Sequence, residues 1–211
     1  MSSATQKSIA DTTRRVLVLL AVALPAWFTL PGRSGAEDAF LTGKLLVAQE
    51  RLDGSVFQRT VILLFDHDAD GAFGLTLNRP VGRLEISDFL DGIGKNGADV
   101  GGSIDVYSGG PVQQRVPFLI HSDDYVTDDT SHRAGGAAIT LSEEILRAIG
   151  SGDGPVYSRL VLGYAGWAGG QLEGEIDRGS WYVIDSDPAL IFETPASQMW
   201  QRASDKVGIE L

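Results

Sequence analysis

Cysteine is absent from all 211 residues. That single absence removes disulfides, thiolate metal sites and a cysteine nucleophile together. It leaves the compartment open, because a cysteine-free chain suits either redox environment. Histidine is scarce: His67, His121 and His132 are the three present, and no two stand at metal-ligand spacing. There is no H-E-x-x-H, no G-x-S-x-G elbow and no G-x-x-x-x-G-K-[ST] loop, so the common zinc-protease, serine-hydrolase and nucleotide-loop chemistries have no local signature. No cofactor is expected.

Positive charge is also in short supply, with 17 Lys and Arg against 28 Asp and Glu and a net charge of −11. The first 36 residues carry Lys7, Arg14, Arg15 and Arg33 against Asp11 alone, which leaves −14 on the remainder. Nucleic-acid binding depends on clustered cations that displace counterions from phosphates, and a body this acidic repels that backbone at long range. Direct nucleic-acid binding is therefore not expected. The partner is expected to be a protein or a small molecule, its identity and the oligomeric state being unspecified.

No apolar run reaches the roughly 20 residues of a full membrane span. Val16–Leu24, continuing through Ala26, Trp27, Phe28 and Leu30, follows Arg14-Arg15 and precedes the small residues Ser34-Gly35-Ala36. A basic flank, a short apolar stretch and a small-residue cleavage site describe a signal peptide. Residues 1–36 are thus expected to be a signal peptide or membrane anchor, with residues 37–211 as one domain. On this reading the domain lies outside the cytoplasm, the alternative being cytoplasmic, and touches membrane only through its N-terminal segment.

From Leu41 onward the apolar pattern is short-period and punctuated by turns. Strands are expected at Lys44–Ala48, Thr60–Phe65, Ala72–Asn78, Ile104–Tyr107, Val116–His121, Arg159–Tyr164 and Trp181–Ile184. Short helices are expected at Ile86–Leu90, from the capping box Thr140-Leu141-Ser142-Glu143 to Gly150, and from Ser197 to about Lys206. Asp123–Gly136 reads as a long exposed loop and Ala165–Gly179 as a glycine-rich connection. Strands and helices mix without strict alternation, which gives an α+β fold.

Candidate functional residues fall in the turns, where sites are commonly displayed. Asp66-His67-Asp68-Ala69-Asp70-Gly71 matches the first half of a calcium loop, but its twelfth position is Leu77 rather than a bidentate Glu, so a hairpin turn is the better reading. Gly109-Gly110-Pro111 is either a tight turn or a pair of backbone N–H groups open to an anion. His121 ends an apolar strand near Asp123 and Asp124 and suits a general base oriented by a carboxylate, or a histidine bonded to local backbone. Trp167, flanked by glycines and followed by Gln171, Glu173 and Glu175, is either a pliable binding surface or a core plug.

Five ordered segments resemble one bacterial family, the YqgE/AlgH proteins. They are Gly43–Ala48, Phe57–Val61, Gly71–Leu75 through Asn78-Arg79-Pro80, Gly109–Val112 with Leu119–Ser122, and Gly163–Trp167 through Gln171–Ile176. Ser180-Trp181 and Ile191-Phe192 extend the likeness toward the final helix. The resemblance implies an α+β fold whose mixed sheet curls into a partial barrel with helices outside. It implies no reaction, since the family has none assigned; its usual description as transcriptional regulators comes from genetic association with alginate production. Two departures stand out: Gln49-Glu50 where the family commonly has proline, and the added leader.

These readings converge on a non-enzymatic binding or regulatory module. Its candidate ligand- or partner-binding residues are Asn78, Arg79, Gly109, Gly110, His121, Trp167, Gln171 and Glu173, with no metal among them. One alternative is a hydrolase-like enzyme pairing His121 with Glu173 or Asp124. Another is a transcriptional regulator that acts indirectly rather than by touching DNA.

Overall fold

Leu45 and Val47 alternate with Leu46 and Ala48 along the first strand, and all four are buried. A strand buried on both faces needs a cover on each, and the fold supplies two. The computed structural model describes residues 40–208, so the leader read over residues 1–36 lies outside the described residues. Ten strands follow in chain order: β1 (Lys44–Ala48), β2 (Val61–Asp68), β3 (Gly71–Thr76), β4 (Pro80–Glu85), β5 (Ser103–Ser108), β6 (Val112–Ser122), β7 (Thr130–Ala134), β8 (Ala137–Thr140), β9 (Ser158–Ala168) and β10 (Trp181–Asp185). Four α-helices accompany them: α1 (Ile86–Gly92), α2 (Glu143–Ser151), α3 (Gln171–Asp177) and α4 (Ala196–Asp205). A π-helical turn at Ala189–Glu193 precedes the last helix.

The main sheet runs β10-β1-β2-β3-β9-β6-β8-β7, with β5 beside β9 and β4 outside β5. Every pairing is antiparallel except β5 with β9, which makes the sheet mixed. β9 is the branch point: Leu160–Leu162 pair with β5, the same stretch pairs on its other side with β6, and Ala165–Ala168 pair with β3. The sheet curls into a half-barrel with flanking helices, an α+β fold.

Alternation sorts the apolar side chains into three cores. Leu45, Val47, Leu63, Leu75, Phe118 and Val161 line the inside of the curl, which the π-turn and α4 fill with Ile191, Phe192 and Met199. Leu119, Ile104 and Leu160 point outward beneath α1 and α2. Leu46, Ile62, Leu64 and Trp167 point outward beneath α3 through Leu172. Two-sided covering explains the unbroken Val61-Ile62-Leu63-Leu64 run.

Several expected boundaries move. Asp123–Gly136 is not one long loop, because β7 forms within it and β8 follows. The strand expected at Ala72–Asn78 ends at Thr76, and Pro80 opens β4, at the first strand position, where a missing N–H is tolerated. The capping box does not form either. Ser142 is the N-cap of α2, its hydroxyl accepting from the Ile145 N–H, while Thr140 stays in β8. Ala165–Trp167 belong to β9, and α3 follows directly.

Candidate functional site

The β3–β4 connection and the β5–β6 turn meet on one face. Asn78 is buried, its Oδ1 accepting from the Val61 N–H at 3.0 Å and its Nδ2 donating to the Arg59 carbonyl at 2.8 Å. It clamps the backbone at the end of the hairpin and leaves Arg79 at the surface, where the guanidinium donates to the Gln58 carbonyl. The second turn is stitched to the first: the Ser108 N–H donates to the Arg79 carbonyl at 2.8 Å, and the Thr76 N–H to the Gly109 carbonyl at 2.9 Å. Pro80, Val81 and Pro111 are exposed around the junction.

The glycines here serve packing. The Gly109 N–H donates to the Leu162 carbonyl at 2.8 Å, so it is not open to an anion as the sequence allowed. A Cβ on Gly109 would collide with the Gly163 carbonyl, and one on Gly110 with the Tyr164 backbone. Gly163 itself bends β9 at φ +72. Backbone lies directly on backbone here.

Beside this junction, Arg159 rises from β9. Its Nη1 donates to the Leu77 carbonyl at 3.4 Å and its Nη2 to the Phe192 carbonyl at 2.9 Å. Its guanidinium carbon lies 5.1 Å from the Tyr107 ring centroid and 5.8 Å from that of Phe192. Tyr157 stacks on Phe192 with the planes 8° apart. Burial pushes the Arg159 pKa down, against the fields of Tyr107 and Asp105. The sequence reading missed this residue. Its signal was present: a lone cation in register with Val161, on the side of β9 that should be apolar.

Of the two readings of Trp167, the structure takes the core plug. The indole is not an exposed surface on a pliable loop; it is 7% exposed, sits in β9 and packs edge-to-face on Trp181 with centroids 6.0 Å apart. Both indole N–H groups donate to one oxygen, Oε2 of Glu175, at 2.9 Å from Trp167 and 2.8 Å from Trp181. Gln171 donates to Oε1 of the same carboxylate at 2.9 Å while its own oxygen accepts the Ala168 N–H. Partial burial works to raise the Glu175 carboxyl, but these hydrogen bonds outweigh it and hold it below the usual carboxylate range. Gln171 and Glu175 therefore pin α3 to the sheet.

Glu173 bonds to His67, not to His121. Its Oε1 lies 3.0 Å from Nε2 of the buried His67, whose Nδ1 accepts the Leu41 N–H at 3.0 Å. Since Nδ1 accepts, the proton sits on Nε2 and is donated to the carboxylate. The turn that suggested half a calcium loop is a hairpin, with Oδ1 of Asp68 accepting the N–H groups of Asp70 and Gly71.

His121 is fully buried and faces the opposite side of the sheet from Arg159. Its Nδ1 donates to the Ser122 carbonyl at 2.8 Å, leaving Nε2 to accept from the Thr140 hydroxyl at 2.9 Å. Thr140 in turn accepts from Thr130 at 2.8 Å, and Thr130 from the Thr127 N–H at 3.1 Å. Desolvation lowers the His121 pKa, against the Ser122 hydrogen bond and the fields of Asp124 and Asp123. The expected dyad with Glu173 does not form, and Asp124 is engaged with Ser122 and the Val156 N–H.

The eight sequence candidates thus divide three ways. Asn78, Arg79, Gly109 and Gly110 gather at the turn junction; Trp167, Gln171 and Glu173 lie on the α3 side; His121 stands apart. Among the described residues no group of three or more His, Asp or Glu is placed to hold a metal ion. Among them, too, no helix is long and apolar enough to cross a membrane.

A curled mixed sheet branching at one long strand, filled by a π-turn and a C-terminal helix, defines an AlgH-type half-barrel. The family model described as DUF179, AlgH-like, matches residues 45–211. A UPF0301 protein of Methylocella silvestris is 39% identical over 187 residues, covering 85% of this chain and 90% of its own length. A second, from Methylococcus capsulatus, is 40% identical over 178 residues, covering 83% and 94%. Among solved structures, the solution structure of AlgH from Pseudomonas aeruginosa aligns with a TM-score of 0.66 at 32% identity, covering 84% of this chain and 94% of that one. A crystal structure from Corynebacterium diphtheriae shares the fold at a TM-score of 0.60 and 23% identity, covering 87% and 94%. The chain belongs to the AlgH-like family, whose function is unassigned.

Proposed function

We propose that this domain is a non-enzymatic binding module, and that it takes its partner on the face where the β3–β4 connection meets the β5–β6 turn. The observation that carries this reading is the stitching of the two turns, through the Ser108–Arg79 and Thr76–Gly109 backbone bonds, into one rigid platform. That platform carries Arg79 and the 61%-exposed Val81 at its rim. Sites built on rigid elements hold their geometry at low entropic cost. The α3 side supports the reading less well, because its indoles and Glu175 are engaged with one another. His121, sealed and hydrogen-bonded at both nitrogens, offers no nitrogen to a substrate.

The partner is a protein or small molecule rather than a nucleic acid, given the −14 carried beyond residue 36. A regulatory effect on transcription would then be indirect. The basic-then-apolar leader favours action outside the cytoplasm; a reporter fused after Leu211 that is active only in the cytoplasm would overturn that part.

Affinity capture with the full chain tests the module. Proteins retained by wild type should be lost with Arg79→Glu and Val81→Asp, and kept with Glu144→Lys on the exposed face of α2. Identical captures from all four proteins would remove the turn face as the site.

A further inference from the structure

We propose that Arg159 anchors a binding site for an oxyanion, a phosphate or carboxylate group carried by the ligand of the turn face. This rests on the reading of that face as the binding surface and adds the chemistry it recognises.

Six cations among the described residues are matched to carboxylates. Lys44 pairs with Asp185, Arg83 with Asp105, Lys95 and Arg147 with Glu143, Arg133 with Asp123 and Lys206 with Asp187. Arg51, Arg115, Arg178 and Arg202 are unmatched elsewhere, and three more unmatched arginines lie around the junction. Among the described residues Arg59, Arg79 and Arg159 have no carboxylate at ion-pair distance, in a chain that carries 28 Asp and Glu. Arg59 lies over the Trp200 ring at 5.2 Å, and Arg79 reaches only the Gln58 carbonyl. Asp105, whose field reaches Arg159, is committed to Arg83 at 2.7 Å.

Arg79 and Arg159 are both half-buried, and Arg159 is the one held between two aromatic rings. A guanidinium carries five N–H donors in a fixed fork. Two are spent on the Leu77 and Phe192 carbonyls, which fix the plane of the group and leave three without a protein acceptor. Tyr107 and Phe192 wall it with ring faces, and Tyr157 extends the wall outward. A desolvated cation with fixed orientation and spare donors is the arrangement that binds oxyanions bidentately. Leu77, whose carbonyl holds it, lies two residues before Arg79, and Tyr107 pairs in register with Pro80. The spare donors therefore adjoin the platform already described.

The test is nitrogen-15 NMR of the full chain titrated with inorganic phosphate, phenyl phosphate and benzoate at constant ionic strength. The Arg159 Nε–H signal should shift saturably with at least one of them. The tighter of phenyl phosphate and benzoate identifies the headgroup. Arg159→Lys, which keeps charge and loses the fork, should weaken binding at least tenfold, while Lys95→Ala, whose partner is Glu143 on α2, should leave it unchanged. If Arg159→Lys fails to fold, Arg79→Gln decides, with a severalfold loss expected. No shift with any ligand, or wild-type affinity in the folded variants, overturns the site. If Val81→Asp still abolishes capture while no oxyanion binds, the oxyanion proposal alone falls. If neither effect is seen, both fall.

Discussion

Glu175 shows how one side chain fixes the surroundings of a residue that sequence presents as a surface feature. Two nearly buried indoles donate to one of its oxygens. Replacing it with Leu strands both donors, and each buried unsatisfied donor costs about 1–3 kcal/mol. Glu175→Leu should lower unfolding free energy by roughly 2–4 kcal/mol in a denaturant titration; Glu175→Gln, which keeps an acceptor, should cost less. Equal losses in the two variants would show that the indole bonds do not matter. His121 gives a pH dependence of stated sign. Its folded pKa is lowered, so below about 6.5 the unfolded chain binds the proton more readily than the folded one. Its share of stability is complete above about 6.5 and is lost as pH falls from there toward the folded pKa. His132, also lowered by desolvation, adds in the same direction. Wild type should lose stability between pH 7.5 and 5.5, and His121→Gln should lose measurably less over the same interval. A variant slope as steep as wild type would remove His121 from the linkage.

At the scale of elements, β9 governs the architecture and Gly163 governs β9. Its φ of +72 and the approach of the Gly110 and Val112 carbonyls, each 2.9 Å from where a Cβ would stand, leave room for glycine alone. Gly163→Ala should cost about 1–3 kcal/mol, since backbone carbonyls cannot move aside as a flexible side chain does. A midpoint unchanged in urea would contradict this. Met199, fully buried where α4 fills the curl, should cost about 2–5 kcal/mol as Ala. Strands with strong local patterns were legible in sequence: Lys44–Ala48 forms as read, and the strand expected at Thr60–Phe65 forms as Val61–Asp68. β7 and β8 were hidden because Thr130–Ala134 is polar and becomes a strand only by pairing with Ala137–Thr140. Trp167 was misplaced because glycine density suggests a loop, whereas here glycine permits strands to pack closely. The candidate site was half legible. Turn chemistry exposed Asn78, Arg79 and the glycine pair, but Arg159 acquires its character from Tyr107, 52 positions away, and Phe192, 33 positions away, which no local window joins.

For the whole molecule, the half-barrel separates three groups of polar residues that the sequence brought into one imagined surface. The α3 side holds itself together through Glu175 and the His67–Glu173 bond. The His121 side is a closed hydrogen-bond chain. The turn junction is left as the rigid face with unmatched cations and exposed apolar rim, and the central claim is that another molecule binds there. Site-specific photocrosslinking in living cells tests it most directly, with the photoreactive residue placed at Val81 in one strain and at exposed Gln171 on α3 in another. Discrete adducts from position 81 and none from position 171 are the expected result; adducts from position 171 with position 81 silent would contradict the account.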